Sequence, residues 1–236
     1  MRFKLALLPL LLAGCATTQS TVNTTSGLHA ETYGPKRGSS VQTLIVVLHG
    51  KGTPDHYRFA STAARAIPDA AAVALAEVRD DRAPKHLAAV GDAVTALRAR
   101  YPQARTIVVG DAEGAAIAAN LAGIRPALVD GMVLVGCPCT RLEMEQQTSG
   151  EHSGRENLDP LQTAGGILPS IRVAVLVGAN DKITPVNFSR AYAEALALRG
   201  IATDYRILPA RGHDLLDDPE VLAATERLAA AMPKKG

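Results

Sequence analysis

The feature that most constrains this chain is a series of short apolar runs, rich in Val, Ile and Leu, in which polar residues hardly alternate. Strands with this pattern are buried on both faces, as happens when helices cover both sides of a parallel sheet. Longer segments between the runs have the apolar spacing of amphipathic helices. The predicted strands are residues 41–48, 71–78, 106–110, 131–136, 172–178 and 203–208.

Helical segments alternate with these strands along the chain. One of them places four apolar residues, from Leu87 to Leu97, on a single helix face. The alternation predicts an α/β fold, a doubly wound and mostly parallel sheet of about six or more strands with helices on both faces. Residues 41–236 are long enough to form it as one domain. The predicted helices are residues 57–67, 85–100, 113–123, 185–199 and 219–232.

The N-terminus has a different character from the rest of the chain. A basic start, Met1 to Lys4, precedes an apolar stretch that is too short to span a bilayer. The sequence Leu-Ala-Gly-Cys that follows resembles the lipobox of bacterial lipoproteins. That resemblance implies a signal peptide at residues 1–14 and a lipid on Cys15, which would anchor the protein to a membrane of the bacterial cell envelope. The alternative is a secreted protein with a chance cysteine.

Two further expectations concern the location of the protein and the structure of the segment that begins at Cys15. Ala16 follows the cysteine, and in enterobacterial lipoproteins this pattern implies the periplasmic side of the outer membrane. Residues 15–40 are rich in Ser and Thr and show neither helical nor strand periodicity, so we expect a lipidated cysteine and a flexible tether.

Charge and motif content exclude several function classes. The chain has 25 basic and 23 acidic residues, a net charge of +2, and no basic stripe with interleaved aromatic residues, so nucleic acid is not an expected partner. No glycine-rich phosphate loop follows a strand, and no cofactor is predicted. No metal is predicted either, because the two cysteines of the folded part have no histidine nearby.

Four stretches that contain glycines, or side chains able to take part in catalysis, lie at predicted strand ends. They are the turn Gly110-Asp111-Ala112-Glu113-Gly114, the loop His49-Gly50-Lys51-Gly52, and the segments around Asp181 and His213. Because the carboxyl ends of parallel strands meet at one edge of a sheet, we expect these stretches to lie close together.

Residues 41–232 resemble the α/β-hydrolase superfamily, in particular serine esterases and dienelactone hydrolases. The strand-to-helix turn, the acid and the histidine follow that family's order. The resemblance implies that Asp181 is the acid, His213 is the general base, and the backbone N–H groups of Lys51 and Glu113 form the oxyanion hole. Residues 137–170 are too few for a separate lid domain.

The sequence departs from this family at the nucleophile. The position maps onto Ala112, and no other register places the flanking glycines correctly. A methyl group cannot attack a carbonyl, and loss of the nucleophile costs on the order of 10⁶ in rate in such triads. Two explanations remain open: a natural pseudo-hydrolase, or an inactivating substitution of serine.

Other residues of these stretches have alternative interpretations. Cys137 and Cys139 can form a disulfide, or one of them can replace the missing nucleophile as a thiolate. Asp181 can be a helix cap instead of a catalytic acid, and His213 can be an incidental loop residue. His49 is expected to shape its loop.

These observations lead to three functional hypotheses. The first is a lipoprotein derived from ester hydrolases that binds a small acyl or ester ligand, or a protein partner, at a site without its nucleophile. The second is an active carboxylic-ester hydrolase that uses another group or whose natural residue 112 is serine. The third is a purely structural envelope lipoprotein.

Overall fold

The computed structural model of the chain describes residues 19–23, 28–34, 40–49, 55–75, 84–140 and 158–235. Its eight strands form one sheet in the order β1-β2-β4-β3-β5-β6-β7-β8. This confirms the predicted doubly wound, mostly parallel sheet. The strands are β1 (Gln19–Asn23), β2 (His29–Tyr33), β3 (Thr43–His49), β4 (Ala70–Leu75), β5 (Arg105–Asp111), β6 (Gly131–Val135), β7 (Arg172–Gly178) and β8 (Thr203–Leu208).

Strand direction divides the sheet into two edges. Strand β2 is antiparallel to both β1 and β4, and all other neighbouring strands are parallel. Strand β1 therefore runs in the same direction as β3 to β8. We call the edge where these strands begin the amino edge, and the edge where they end the carboxyl edge.

Helices cover both faces of the sheet, as predicted. Two buried clusters result, one with Phe59 and Val221, the other with Leu87, Ile117 and Tyr192. Among the residues that the structure describes, no helix could span a membrane. The helices are α1 (Asp55–Ala66), α2 (Pro84–Arg100), α3 (Glu113–Ile124), α4 (Pro160–Thr163), α5 (Val186–Leu198) and α6 (Pro219–Ala231).

The expectation of a flexible tether at residues 15–40 is wrong for two segments. Strands β1 and β2 lie in this range, so the sheet begins at Gln19 and not at residue 41. The cause is visible in β2, where Ala30, Thr32 and Tyr33 are buried against the rest of the sheet. Thr and Val are also β-branched residues that favour strands. Cys15 lies outside the described residues.

Two other boundaries differ from prediction. The strand expected at residues 71–78 is β4, which ends at Leu75, and residues 76–83 lie outside the described part. The excursion at 137–170 begins with four buried residues, Cys137 to Thr140, and ends with α4. Residues 141–157 between them, where an exposed loop was predicted, are outside the described residues.

Candidate active site

The turn from β5 to α3 has the geometry of a nucleophile elbow. Strand β5 ends at Asp111 and helix α3 begins at Glu113, so Ala112 alone makes the turn, with φ 50° and ψ −120°. Glycine is required on both sides. A Cβ on Gly110 would lie 2.6 Å from the Ala115 nitrogen, and one on Gly114 would lie 2.6 Å from the Leu48 carbonyl carbon.

Alanine is held in this turn at an energetic cost. A positive φ brings Cβ close to the backbone, and such residues cost about 1–3 kcal/mol unless the surroundings impose the conformation. The Ala112 N–H donates to the Val135 carbonyl at 2.9 Å, and its own carbonyl accepts from Ala115 at 2.9 Å. These two bonds hold the elbow in place without any contribution from the side chain at position 112.

The next residue presents a backbone donor. The Glu113 N–H lies at the first position of α3, where helical N–H groups have no acceptor within the helix, and it has none among the described residues. This is the donor position that an oxyanion hole requires. The other predicted donor, Lys51, lies outside the described residues, as do Gly50 and Gly52.

Asp181 and His213 form a hydrogen-bonded pair. Oδ2 of Asp181 lies 2.9 Å from Nδ1 of His213, although the two residues are 32 positions apart in the chain. Among the described residues, no group hydrogen-bonds the other ring nitrogen, Nε2, and the His213 side chain is 19% exposed. A carboxylate on Nδ1 favours the tautomer whose Nε2 can accept a proton.

Thr184 belongs to the candidate site, although no sequence motif indicated it. Its hydroxyl donates to Asp181 Oδ2 at 2.7 Å and lies 3.2 Å from Nδ1 of His213. The N–H groups of Ile183 and Thr184 both donate to Oδ1 at 2.8 Å. Both oxygens of the buried carboxylate therefore have partners, which fixes its orientation toward the imidazole.

These hydrogen bonds determine the ionisation of Asp181. Burial disfavours the charged carboxylate and is the largest single effect. It is outweighed by the hydrogen bonds from the Thr184 side chain and N–H, from His213 and from the Ile183 N–H, which together lower the pKa of Asp181 below its ordinary value. The carboxylate is therefore charged at neutral pH.

Gly136 links this pair to the elbow. The residue follows β6 with φ 52°, and a Cβ there would lie 3.5 Å from Nδ1 of His213 and 3.6 Å from Oδ2 of Asp181. Its neighbour Val135 accepts the hydrogen bond from the Ala112 N–H. The elbow and the imidazole thus meet around two consecutive residues at the carboxyl edge, in the arrangement predicted from strand ends.

The alternative of Asp181 as a helix cap does not describe its environment. The residue that precedes α5 is Pro185, and no side chain caps this helix. Asp181 instead accepts the N–H groups of its own turn, Ile183 and Thr184. Its remaining bond to His213 is the one that a catalytic acid requires.

Cys137 and Cys139 are joined by a disulfide directly after Gly136. Both residues are fully buried, and the Cys139 carbonyl accepts a hydrogen bond from the Leu161 N–H in α4 at 3.1 Å. In this state neither sulfur is a thiolate, so the observed geometry does not favour a cysteine as the replacement nucleophile.

A second histidine–aspartate pair lies next to the elbow, because Asp111 directly precedes Ala112 in the chain. Nε2 of His49 is 3.0 Å from Oδ2 of Asp111, and both side chains are buried. The two residues are register partners at the ends of β3 and β5, and His56 of α1 lies 5.5 Å from His49 between ring centroids. The sequence predicted that His49 shapes its loop, but it did not predict the contact with Asp111. This contact depends on the register between β3 and β5.

The chain is similar to known proteins in its three-dimensional structure, but the sequence comparisons found no match. No protein-family model and no curated protein sequence matches the chain. A carboxylesterase from Lactobacillus plantarum is similar in structure, with a TM-score of 0.68 at 16% identity over 91% of this chain and 95% of that one. An alpha/beta hydrolase enzyme from a deep-sea metagenome library has a TM-score of 0.68 at 15% identity, over 92% of this chain and 100% of that one.

A third structure agrees with these two. A thermostable carboxyl esterase from Bacillus coagulans has a TM-score of 0.65 at 13% identity, over 90% of this chain and 96% of that one. The coverage shows that the likeness extends over nearly the whole of each protein. The chain therefore has the α/β-hydrolase fold, and the resemblance stated from the sequence is confirmed at that level.

Proposed function

We propose that this protein is an α/β-hydrolase-fold lipoprotein that binds a small acyl or ester compound and does not turn it over through an acyl-enzyme. The observation that carries the proposal is the contrast between a formed elbow with alanine at position 112 and an ordered Asp181–His213 pair beside it. A bound carbonyl would find the Glu113 N–H and the imidazole in place, but no hydroxyl to attack it.

The experiment that tests this compares the chain with Ala112→Ser. Each is incubated with a fluorophosphonate probe and with short-chain p-nitrophenyl esters. Serine labelling and ester hydrolysis are expected only after the substitution, because only the hydroxyl is missing. Labelling of the unsubstituted chain would overturn the proposal.

Two control variants identify the source of any activity gained. Ala112→Ser with His213→Ala retains the new hydroxyl without its base and is expected to hydrolyse no ester above background. Ala112→Cys places a thiol at the same position and tests whether the elbow accepts another nucleophile. If neither Ala112→Ser nor Ala112→Cys reacts, the site lacks more than a nucleophile, and the hypothesis of a structural envelope protein gains support.

The second candidate function is an active hydrolase that uses a cysteine. Its support is the position of Cys137, which directly follows Gly136 in the chain. Gly136 lies close to the His213 ring, since a Cβ on Gly136 would be 3.5 Å from Nδ1 of that ring. Such activity would appear on reduction of the Cys137–Cys139 bond and disappear after iodoacetamide, whereas the pseudo-hydrolase proposal expects no hydrolysis before or after reduction.

A further inference from the structure

We propose that the amino edge of the sheet lies against a lipid surface, so that the site at the carboxyl edge opens away from the membrane. The proposal rests on the lipid anchor at Cys15, which is part of the proposed function. The support comes from where the folded chain begins and from three exposed apolar side chains.

The first argument is the short distance between the anchor and the sheet. Gln19 is the first residue of β1, only four residues after Cys15. Four extended residues span at most about 14 Å, so a lipid on Cys15 would hold the start of β1 near the bilayer. A long flexible tether would have left the orientation of the domain free, but only three residues separate Cys15 from the start of β1.

The second argument is the edge at which this anchor is attached. Through the strand register, Gln19 is level with Gly131 and Arg172, the first residues of β6 and β7. It therefore lies toward the amino edge. Ala112 is five residues further along β5 and four strands across, which corresponds to about 25 Å at ordinary strand rise and spacing.

The third argument is an apolar patch on this edge. Of the five large apolar side chains exposed in the described part of the chain, Ile124, Leu168 and Leu198 lie here, with exposures of 47%, 45% and 89%. Ile124 and Leu198 end α3 and α5, and Leu168 precedes β7. Surface positions of this kind are unremarkable singly and informative as a group.

The chain segments that carry the three residues meet at one short turn, Ala164–Gly166. Gly123, next to Ile124, packs directly on Gly166. Arg199, next to Leu198, donates to the Gly165 carbonyl at 2.7 Å. We call Ile124, Leu168 and Leu198 the apolar patch. The patch lies at the part of the amino edge that β5 to β8 form, which is distant from β1. The patch and the anchor would therefore contact the membrane at two separate places along this edge.

The charge of the edge is compatible with anionic lipid. At the helix ends and strand starts of this edge, four exposed basic side chains accompany exposed Asp69, and exposed Glu226 lies one turn before the end of α6. Basic residues also complement helix dipoles, so the apolar patch remains the stronger argument. Acylated proteins bind membranes stably when a second contact joins the lipid, and the patch supplies one. The basic residues are Arg65, Arg172, Arg199 and Lys234.

The test measures which edge of the anchored protein approaches the lipid. Leu198→Cys and Ile183→Cys are matched probes, because both residues are exposed and apolar and they lie at opposite edges. The described native cysteines are bonded to each other, which leaves the introduced thiol for a fluorophore. The full lipidated chain is reconstituted in phosphatidylethanolamine–phosphatidylglycerol vesicles that contain nitroxide-labelled lipid.

Quenching several-fold stronger at position 198 than at position 183 is expected. Equal quenching, or stronger quenching at 183, overturns the proposal. Leu168→Glu in the Leu198→Cys chain is expected to reduce the quenching by half or more. Unchanged quenching would mean that the apolar patch makes no contact, and would overturn it as well.

Mass spectrometry of the N-terminal peptide tests the lipid on Cys15 separately. If Cys15 carries no acyl groups, the proposed anchor fails, and both probe chains are then made again with Cys15→Ser so that only the introduced thiol is labelled and reports on the patch alone. Stronger quenching at 198 would still support the membrane-facing edge, and no difference between the probes would overturn it.

Discussion

Two histidine–aspartate pairs lie at the carboxyl edge with nearly the same separation, 2.9 Å for His213–Asp181 and 3.0 Å for His49–Asp111. Their surroundings differ. The His213 side chain is 19% exposed and that of His49 is 7% exposed. Both oxygens of Asp181 have further donors, including Thr184, whereas Oδ1 of Asp111 has no hydrogen-bond partner among the described residues.

The nitrogen that each histidine uses explains what the pairs can do. Asp181 contacts Nδ1 of His213 and leaves Nε2 without a partner in the described part of the chain. Asp111 contacts Nε2 of His49, which joins the ends of β3 and β5. The first arrangement leaves Nε2 of His213 available to accept a proton, and the second joins the ends of two strands. If the proposed function is correct, the same two residue types serve chemistry in one place and packing in the other.

The largest difference between the two pairs is expected in the kcat for ester hydrolysis of a chain that carries Ala112→Ser. In the Ala112→Ser chain, Asp181→Asn is expected to lower kcat for ester hydrolysis by about 10⁴-fold, because the amide favours the wrong imidazole tautomer. Asp111→Asn should change kcat by roughly tenfold or less, because Asp111 does not contact the imidazole that acts as base. Steady-state kinetics check both, and equal losses would contradict the distinction.

Stability should respond in the opposite order. His49→Ala is expected to lower the free energy of unfolding by about 2–3 kcal/mol, because it leaves the buried Asp111 carboxylate without the hydrogen-bond partner it has at Nε2 of His49. His213→Ala should cost about 1 kcal/mol, since Asp181 retains three other hydrogen bonds. Urea denaturation at pH 7 measures both variants. A larger loss for His213→Ala would mean that its pair is the structural one.

The sequence predicted the parts of the molecule that depend on strong local patterns. The strands from β3 to β7 are apolar runs in a parallel sheet, and these runs, with the alternation of strands and helices, identified all six strands from β3 to β8 within a few residues. Strands β1 and β2 were missed because they are short and polar in composition, and because their pairing partners cannot be recognised from local sequence. Strands of this kind depend on the rest of the sheet for their stability.

The same limit applies to the site. Glycine turns and strand order determine where strand ends meet, and the structure places the Ala112 elbow and the Asp181–His213 pair at the same edge of the sheet, while their roles remain predictions. The contribution of Thr184 and the His49–Asp111 contact depend on side-chain direction and strand register, which no motif encodes. Lys51 and Cys15 lie outside the described residues, and their roles remain predictions.

A subtler test concerns the ionisation of Asp181. Thr184→Val removes the hydroxyl bond and is expected to raise the pKa of Asp181 toward its ordinary value and to cost about 1–2 kcal/mol at neutral pH. Because the folded pKa is depressed, the stability that this carboxylate contributes is present above its unfolded pKa of about 3.9 and is lost as pH falls through the folded pKa.

The difference between Thr184→Val and the unsubstituted chain should therefore be largest above about pH 4 and smaller in more acidic solution. Urea denaturation from pH 3 to pH 7 tests this dependence. Thr225→Val is a matched control, because the buried Thr225 hydroxyl donates to the Val221 backbone carbonyl of α6 at 2.8 Å and to no carboxylate. A difference that is constant with pH would show that Thr184 does not stabilise the charged form of Asp181.

The smallest expected effect concerns the elbow itself. Ala112→Gly removes the Cβ at a φ of 50° and relieves about 1–2 kcal/mol of backbone strain, while the greater freedom of glycine in the unfolded chain costs roughly 0.5–1 kcal/mol. A net gain of about 0.5 kcal/mol is expected in urea denaturation. Ala88→Gly, at an exposed position of α2, should instead lose about 1 kcal/mol. If both variants lose the same amount, the elbow stores no strain at Ala112, and its backbone is then as relaxed as an ordinary helix position.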